Sequence, residues 1–329
     1  MERGREPGLG DVLRAHRRIK PIALRTPTLA AAGLRRATGV DAWLKLESLQ
    51  PTHSFKVRGV ANFLLALSTE QRARGVVTAS TGNHGRALAF VARELGIPAV
   101  VCLSSLVGAD RQREIRRLGV EVRVAGRDQD AAIAAARELA ASQSLTLVPP
   151  FDDPWIIAGQ GTIALELLQC SDPRTIVVPL SGGGLAAGVA LVAKSVDPGI
   201  RVVGVSMERG AAMAASLDAG HPVEVCEVPS LADSLGGGIL LDNRLTFPMV
   251  RRYVDDVMLV SEAEIARAIV FLLEEERLYV EGAGAVGVAA LLSGRLAPEG
   301  EVALVVSGGN LDVGRLAGLL GASTLGAGR

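Results

Sequence analysis

Short runs of branched apolar residues alternate with amphipathic stretches along most of this chain. The strand-like runs are residues 75–80 (GVVTAS), 99–103 (AVVCL), 121–124 (EVRV), 175–180 (TIVVPL), 201–206 (RVVGVS) and 301–307 (EVALVVS). Between them, apolar positions recur at helical spacing over 86–95, 111–118, 130–141, 185–195 and 262–277. Strands that are apolar on both faces, with helices between them, predict parallel sheets covered on both sides. Such sheets bind ligands beyond the C-terminal ends of their strands, where loops turn into helices. Glycine-rich segments stand at those points here. One strand–helix series runs over 76–148. The prolines and aspartates of PPFDDP (149–154) then mark a turn or crossover, and a second series runs to about Asp312. The small, polar tail GASTLGAGR is expected to fray.

Composition narrows the class. The 329 residues suit two domains of ordinary size, and 49% hydrophobic residues suffice for sizeable cores. The formal net charge is zero, the basic residues are spread along the chain and aromatics are only 3%. No nucleic acid or anionic membrane surface is therefore expected as a partner. Cys102, Cys170 and Cys226 are isolated and odd in number, which argues against a disulfide framework and against CxxC chemistry. The charged start MERGREPGLG lacks the apolar centre of a secretory signal, and no apolar run is long enough for a bilayer. The expected location is the cytoplasm.

Lysine is the rare base: Lys20, Lys45, Lys56 and Lys194 are the only four in a chain with 35 basic residues. Unlike arginine, lysine can lose its proton and act as a nucleophile or base. Lys56 lies in ESLQPTHSFKVRGVANFL, where polar turn residues lead through Phe55 into a helical run. An amine at such a helix start, flanked by Phe55 and Val57, is open to partial desolvation. Burial and the positive helix end both favour its neutral form. A solvated lysine on a helix is the plainer alternative.

Three further segments place glycines just beyond a strand. STGNHG (80–85) offers backbone N–H groups able to hold a carboxylate without a cationic side chain, an ordinary strand-to-helix turn being the alternative. PLSGGGLAAG (179–188) offers consecutive glycines, Gly182, Gly183 and Gly184, able to close around a phosphate at a helix start. No GK[ST] stands after them, which excludes a Walker P-loop. Gly182, Gly184 and Gly188, with Glu208 downstream, leave a nicotinamide-binding fingerprint open. VVSGGN (305–310) places Ser307 at the end of the last strong strand, where a plain turn is also possible.

In this order, SFKVRG, STGNHG, SGGGL and VVSGGN resemble the motifs of the serine/threonine dehydratase family, within the tryptophan-synthase-β-like (fold type II) pyridoxal-phosphate enzymes. The resemblance extends from about Thr26 to Asn310. It implies an α/β fold of two doubly wound parallel-sheet domains with the cofactor in the cleft between them. The large domain would comprise 1–71 and 147–329, the small one 72–146. It implies pyridoxal 5′-phosphate joined to Lys56, with Phe55, Asn83, Gly182, Gly183, Gly184, Leu185 and Ser307 around it. Ser80, Thr81, Gly82, Asn83 and His84 would grip the substrate carboxylate. Ser234 and Gly236 of SLGGG would lie near the substrate, and Glu281 of EGAG near the cofactor. Lys56 and Thr81 are the expected catalytic residues, Thr81 because a serine at that position is the second-face acid/base of serine racemases. Phe151 is expected beside the cofactor or, equally, as a core aromatic.

The implied reaction is conversion of a 3-hydroxy L-amino acid, threonine, serine or a related one, to a 2-oxo acid and ammonia. Ser307, unlike an aspartate, would not enforce charge on the pyridine nitrogen, which favours prompt β-elimination. STGNHGRALAF together with LADSLGGGILLDNR points toward hydroxyectoine-utilisation and phenylserine-type dehydratases. An amino-acid racemase and a β-replacement synthase on the same fold stay open, as does, more remotely, an NAD-dependent dehydrogenase. Two departures stand out. The family usually has Gly where this chain has His53, which bears on the shape of that loop. The divalent-cation site of serine racemases, similar at Glu208 and Ala212, lacks its further acid at Ala214, so no metal is expected. His16 and His221 are expected at the surface, and the assembly is expected to be a homodimer or homotetramer.

Overall fold

The computed structural model describes residues 4–80, 82–105, 107–127 and 129–326. Ten strands are found among them: β1 (Thr28–Ala30), β2 (Ala42–Leu46), β3 (Val76–Ala79), β4 (Ala99–Leu103), β5 (Glu121–Val124), β6 (Thr146–Leu147), β7 (Thr175–Pro179), β8 (Arg201–Met207), β9 (Asp256–Val260) and β10 (Val302–Val306). They form a six-stranded sheet in the order β1-β2-β10-β7-β8-β9 and a four-stranded sheet in the order β5-β4-β3-β6. Every pairing of these strands is parallel except β1 against β2. The two sheets match a doubly wound α/β architecture, since chain crossovers between parallel neighbours run through helices on both faces.

The double-sided burial follows from the residues. In β10, Ala303 and Val305 pack into one core cluster while Val302, Leu304 and Val306 pack into another on the opposite face. β7 divides likewise, Ile176 and Val178 on one side and Val177 on the other. In the smaller sheet, Val76, Ala99, Val101 and Leu103 face one core, and Val77, Val100 and Cys102 the other. Each Val, Leu or Ile among them taken fully out of water contributes roughly 1.5–3 kcal/mol. The edge strand β5 is mostly exposed, which is why its sequence carries Glu121 and Arg123 among its valines.

One helix organises the larger layer. Pro154–Leu167 begins with Pro at its first turn and Asp153 as N-cap, and it is buried almost throughout. Glycine lets neighbouring helices close on it. A side chain at Gly159 would meet the Gly59 backbone at 2.6 Å, and one at Gly161 would meet the Gly188 carbonyl at 2.8 Å. The helix Lys56–Leu65 therefore lies on one flank of Pro154–Leu167 and the helix Gly184–Val196 on the other. This places the start of the Lys56 helix and the Gly182–Gly184 turn on opposite sides of a common support.

The six foreseen strands are present; β1, β2, β6 and β9 are additional. The tail corrects an expectation. Its residues 321–326 continue the helix Val313–Gly326, whose Leu316 and Leu319 pack against the core, and its last three residues lie outside the described residues. No helix among the described residues is long and apolar enough to cross a membrane.

Candidate functional site

Strand C-termini from both sheets converge on one cleft. β3 of the smaller sheet leads into the turn before the helix Asn83–Glu94, β7 leads to Gly182–Gly184, and β10 leads to Ser307–Asn310. Lys56 enters from a fourth segment. Its loop is fixed to the end of β10 by an antiparallel bridge between Ser54 and Gly308 and by the Phe55 N–H donating to the Ser307 carbonyl at 3.0 Å. Lys56 is the first residue of its helix, and its Nζ donates to the Pro150 carbonyl at 2.8 Å. The amine lies 5.2 Å from the centre of the Phe55 ring. Burial lowers its pKa to about 8, with no carboxylate bonded to it among the described residues.

The glycine turn is a cradle. Gly183 has φ +86°, a left-handed conformation that suits glycine, and caps the helix Gly184–Val196. A side chain on Gly182 would collide with the Phe151 ring, and one on Gly184 would come within 3.1 Å of the Phe151 backbone. On the other side, a side chain on Gly183 would meet Met213 at 2.7 Å and Thr246 at 3.0 Å. The first N–H groups of the helix have no intrahelical acceptor, so the cradle presents donors and a positive dipole end to an anion. The Leu185 side chain packs in the core, which leaves its backbone as the part available to the cradle.

On the side of the smaller sheet, Asn83 and His84 are buried at the start of their helix, and Ser80 and Gly82 are half-buried. Thr81 lies outside the described residues. His84 Nε2 bonds the Val148 carbonyl at 3.1 Å, while its Nδ1 has no partner among the described residues. Burial, followed by the charge of Lys56, holds the His84 pKa down to about 3. The imidazole is neutral at ordinary pH. A carbonyl partner at Nε2 puts the proton there and leaves Nδ1 as an acceptor.

Asn83 is the centre of a relay. Asn310 Nδ2 donates both to the Thr52 carbonyl at 3.0 Å and to Asn83 Oδ1 at 2.6 Å, which fixes the Asn83 amide with its nitrogen on the opposite side. That nitrogen donates to Glu281 Oε1 at 2.7 Å and lies 3.5 Å from Ser234 Oγ. Burial raises Glu281 to about 7, against the pull of the Asn83 amide. Gly236 follows Ser234 by two residues, against Glu227 and the Asp233 carbonyl. Ser307 is buried at the strand end. The foreseen residues Lys56, Phe55, Asn83 and Ser307 are thus tied into one bonded neighbourhood, with Glu281 and Ser234 attached through Asn83.

Sequence reasoning missed several groups. Asp152 bonds the backbone N–H of Arg244, Leu245 and Thr246, and Asn310 orients Asn83. Beneath the Lys56 helix lies a buried quartet of charges. Arg58 binds Glu47 through Nε at 2.7 Å and through its NH2 nitrogen at 2.8 Å, and Glu166 through NH1 and NH2, both at 2.7 Å. Lys45 Nζ binds Glu166 Oε2 and the Thr26 carbonyl, each at 2.7 Å. His16 is not a free surface residue as expected. It is half-buried, with Nδ1 3.9 Å from Glu166 Oε1. His221 is exposed. His53 has φ +54°, so the loop keeps a left-handed turn even though a non-glycine residue occupies it. Glu208 faces Arg295 at 3.3 Å, and no group of three or more metal-ligating residues is found among the described residues.

A family model described as "Pyridoxal-phosphate dependent enzyme" matches residues 19–308. The chain is 51% identical over 93% of its length, and 93% of the relative's, to a Sinorhizobium fredii protein provisionally named a threonine dehydratase. It is 41% identical over 98% of its length to an L-threonine ammonia-lyase of Thermotoga maritima, covering 80% of that protein. Among solved structures it is similar to maize serine racemase, with a TM-score of 0.90 and 31% identity over 99% of this chain and 100% of that one. The cleft fits the group named by the family. A side-chain-free cradle at a helix start suits its phosphate, and a lysine with a lowered pKa stands within the same cleft to meet its aldehyde.

Proposed function

Because the chain belongs to the pyridoxal-phosphate dependent enzymes, we propose that it eliminates the β-hydroxyl of a small 3-hydroxy L-amino acid such as threonine or serine. Water leaves and water re-enters, so the net products are a 2-oxo acid and ammonia. The observation that carries the reading is Lys56, a desolvated amine with a pKa lowered to about 8, bonded to the Pro150 carbonyl and to no carboxylate among the described residues. The bound cofactor supplies an electron sink for the pair left on Cα when its proton departs.

The parts fall to the residues of this chain by position. Lys56 would be the residue that holds the cofactor covalently, and its Nζ, when free, would accept the Cα proton of the substrate. A base with a pKa near the operating pH is well matched to that transfer. Gly182, Gly183, Gly184 and the Leu185 backbone hold the phosphate, with Phe151 closing one side. Ser80, Thr81, Gly82, Asn83 and His84 hold the substrate carboxylate. With His84 neutral, that grip comes from backbone N–H groups and the helix start rather than from a cation. Asn83, its amide fixed by Asn310 and Glu281, would offer a donor to the bound cofactor, and Ser307 would offer a neutral hydroxyl to its ring nitrogen. Ser234 and Gly236 border the substrate side.

The test is a visible spectrum of the purified protein, followed by 2-oxo acid release from a panel of 3-hydroxy amino acids. A yellow protein that bleaches with borohydride, carries the reduced adduct on Lys56 and releases a 2-oxo acid is expected. An adduct on another lysine would overturn the assignment. A second reading, racemisation, is favoured by the similarity to maize serine racemase. Its signature is D-amino acid accumulating from the L-form faster than 2-oxo acid.

A further inference from the structure

The PPFDDP segment joins the two halves of the site. The Pro150 carbonyl receives Lys56 Nζ, and Phe151 forms one wall of the glycine cradle. Asp153 caps the helix Pro154–Leu167 by accepting from the N–H groups of Trp155 and Ile156. Asp152 points the other way. Its Oδ2 accepts from the Arg244 N–H at 2.9 Å, and its Oδ1 from Leu245 at 2.9 Å and Thr246 at 2.8 Å. These amides head the helix Thr246–Tyr253, whose residues Thr246 and Val250 form the opposite wall of the cradle at Gly183. A carboxylate there accepts charge-assisted bonds at a positive helix end. Asp152 therefore ties the Phe151 wall to the Thr246 wall.

We propose that Asp152 is a positioning residue that sets the width of the cradle and through it the affinity for the cofactor phosphate. It acts through Phe151 and Thr246. The proposal rests on the assignment of Gly182–Gly184 to the phosphate, and the test separates the two. Apoprotein of the wild type, Asp152→Ala and Asp152→Asn is titrated with pyridoxal 5′-phosphate and, in parallel, with pyridoxal, which lacks the phosphate.

The wild type should bind the phosphorylated form far more tightly. Asp152→Ala should lose about ten- to a hundredfold of that affinity, in line with the loss of hydrogen bonds to a charged group, while its affinity for pyridoxal stays unchanged. Asp152→Asn, which keeps one acceptor oxygen, should fall between the two. Equal losses for both ligands, or none for either, would overturn the role of Asp152. A wild type that does not distinguish the ligands would instead overturn the phosphate assignment. If circular dichroism shows Asp152→Ala unfolded, Asp152→Asn decides by the same criteria: a loss confined to the phosphorylated ligand supports the proposal, and an equal or absent loss refutes it.

Discussion

Two lysines of this protein are withdrawn from water, and their surroundings are opposite. Lys45 sits in the quartet with Arg58, Glu47 and Glu166, where two cations face two carboxylates and Thr26 and Gln50 fill remaining bonding positions. Lys56, close to Arg58 in the chain, has a carbonyl and an aromatic ring but no counter-charge bonded to it among the described residues. Burial pulls both pKa values down, and at Lys45 the two glutamates pull back. The difference teaches that burial of a charge is not by itself a mark of chemistry. A balanced cluster spends its electrostatics on holding segments together. An unbalanced amine keeps its reactivity available.

The largest effect should come from the unbalanced lysine. Lys56→Ala is expected to lower turnover by more than about ten-thousandfold, because a covalent anchor and a general base are lost together. Stability of the apoprotein should not fall, since a poorly solvated amine is removed. Product release and urea unfolding measured on the same preparation check both halves. A variant with much of its activity left would break the contrast at its centre.

The balanced cluster should respond in the other sense. Glu166→Gln leaves Arg58 and Lys45 facing one carboxylate in a buried space, and is expected to cost about 3–5 kcal/mol of stability. Urea unfolding measures it. The fraction that stays folded should still take up the cofactor and develop its colour. If Glu166→Gln instead abolished cofactor uptake in folded protein, the quartet would belong to the site and not only to its support.

A third expectation concerns pH. Glu281 is held at about 7 against an ordinary value of 4.5. The unfolded chain gives up that proton first, so the apoprotein loses stability as pH rises from about 4.5 to 7, by about 3 kcal/mol from this group. His84, held at about 3 against 6.5, has the opposite slope and adds stability as pH rises from 3 to 6.5. The two oppose each other over much of their range, so the measurement is a difference. Between pH 5 and 8, Glu281→Gln should lose less stability than the wild type. A difference that does not change with pH would show that Glu281 is not buried uncharged.

Distance along the chain decides which features the sequence disclosed and which it concealed. Lys56 in SFKVRG and the turn Gly182–Gly184 are runs of neighbours at strand ends, and their chemistry is local. The bonds that orient them are not. Asn83 meets Glu281 across 198 positions and Asn310 across 227, and no periodicity signals such pairs. Lys45 was concealed differently. In AWLKL it alternates with apolar residues as an outward-facing strand residue would, yet its partner Glu166 comes from the buried helix Pro154–Leu167. β1 and β6 are too short, and β9 is only half-buried, to present the continuous apolar run by which β7 and β10 were foreseen.

The smallest effect tests the connection between the two regions. Residues 50–55 run from the quartet, where Gln50 bonds Glu47 and Leu24, to the cleft, where Phe55 bonds Ser307. His53 lies midway with φ +54° and an exposed side chain. Its backbone is held on both sides, its N–H donating to the Gln50 carbonyl at 2.7 Å and its carbonyl accepting from the Gly309 N–H at 2.9 Å. A left-handed conformation costs a non-glycine residue roughly 1–2 kcal/mol, and the added freedom of glycine in the unfolded chain offsets part of any relief. His53→Gly should therefore raise stability by less than about 1 kcal/mol. His53→Ala removes the imidazole but keeps the strained backbone, and should gain nothing. Urea unfolding of the pair separates backbone from side chain. If alanine proves less stable than histidine, a contact of the imidazole holds the loop, and the bridge between support and site runs through that side chain rather than through the backbone bonds on either side of it.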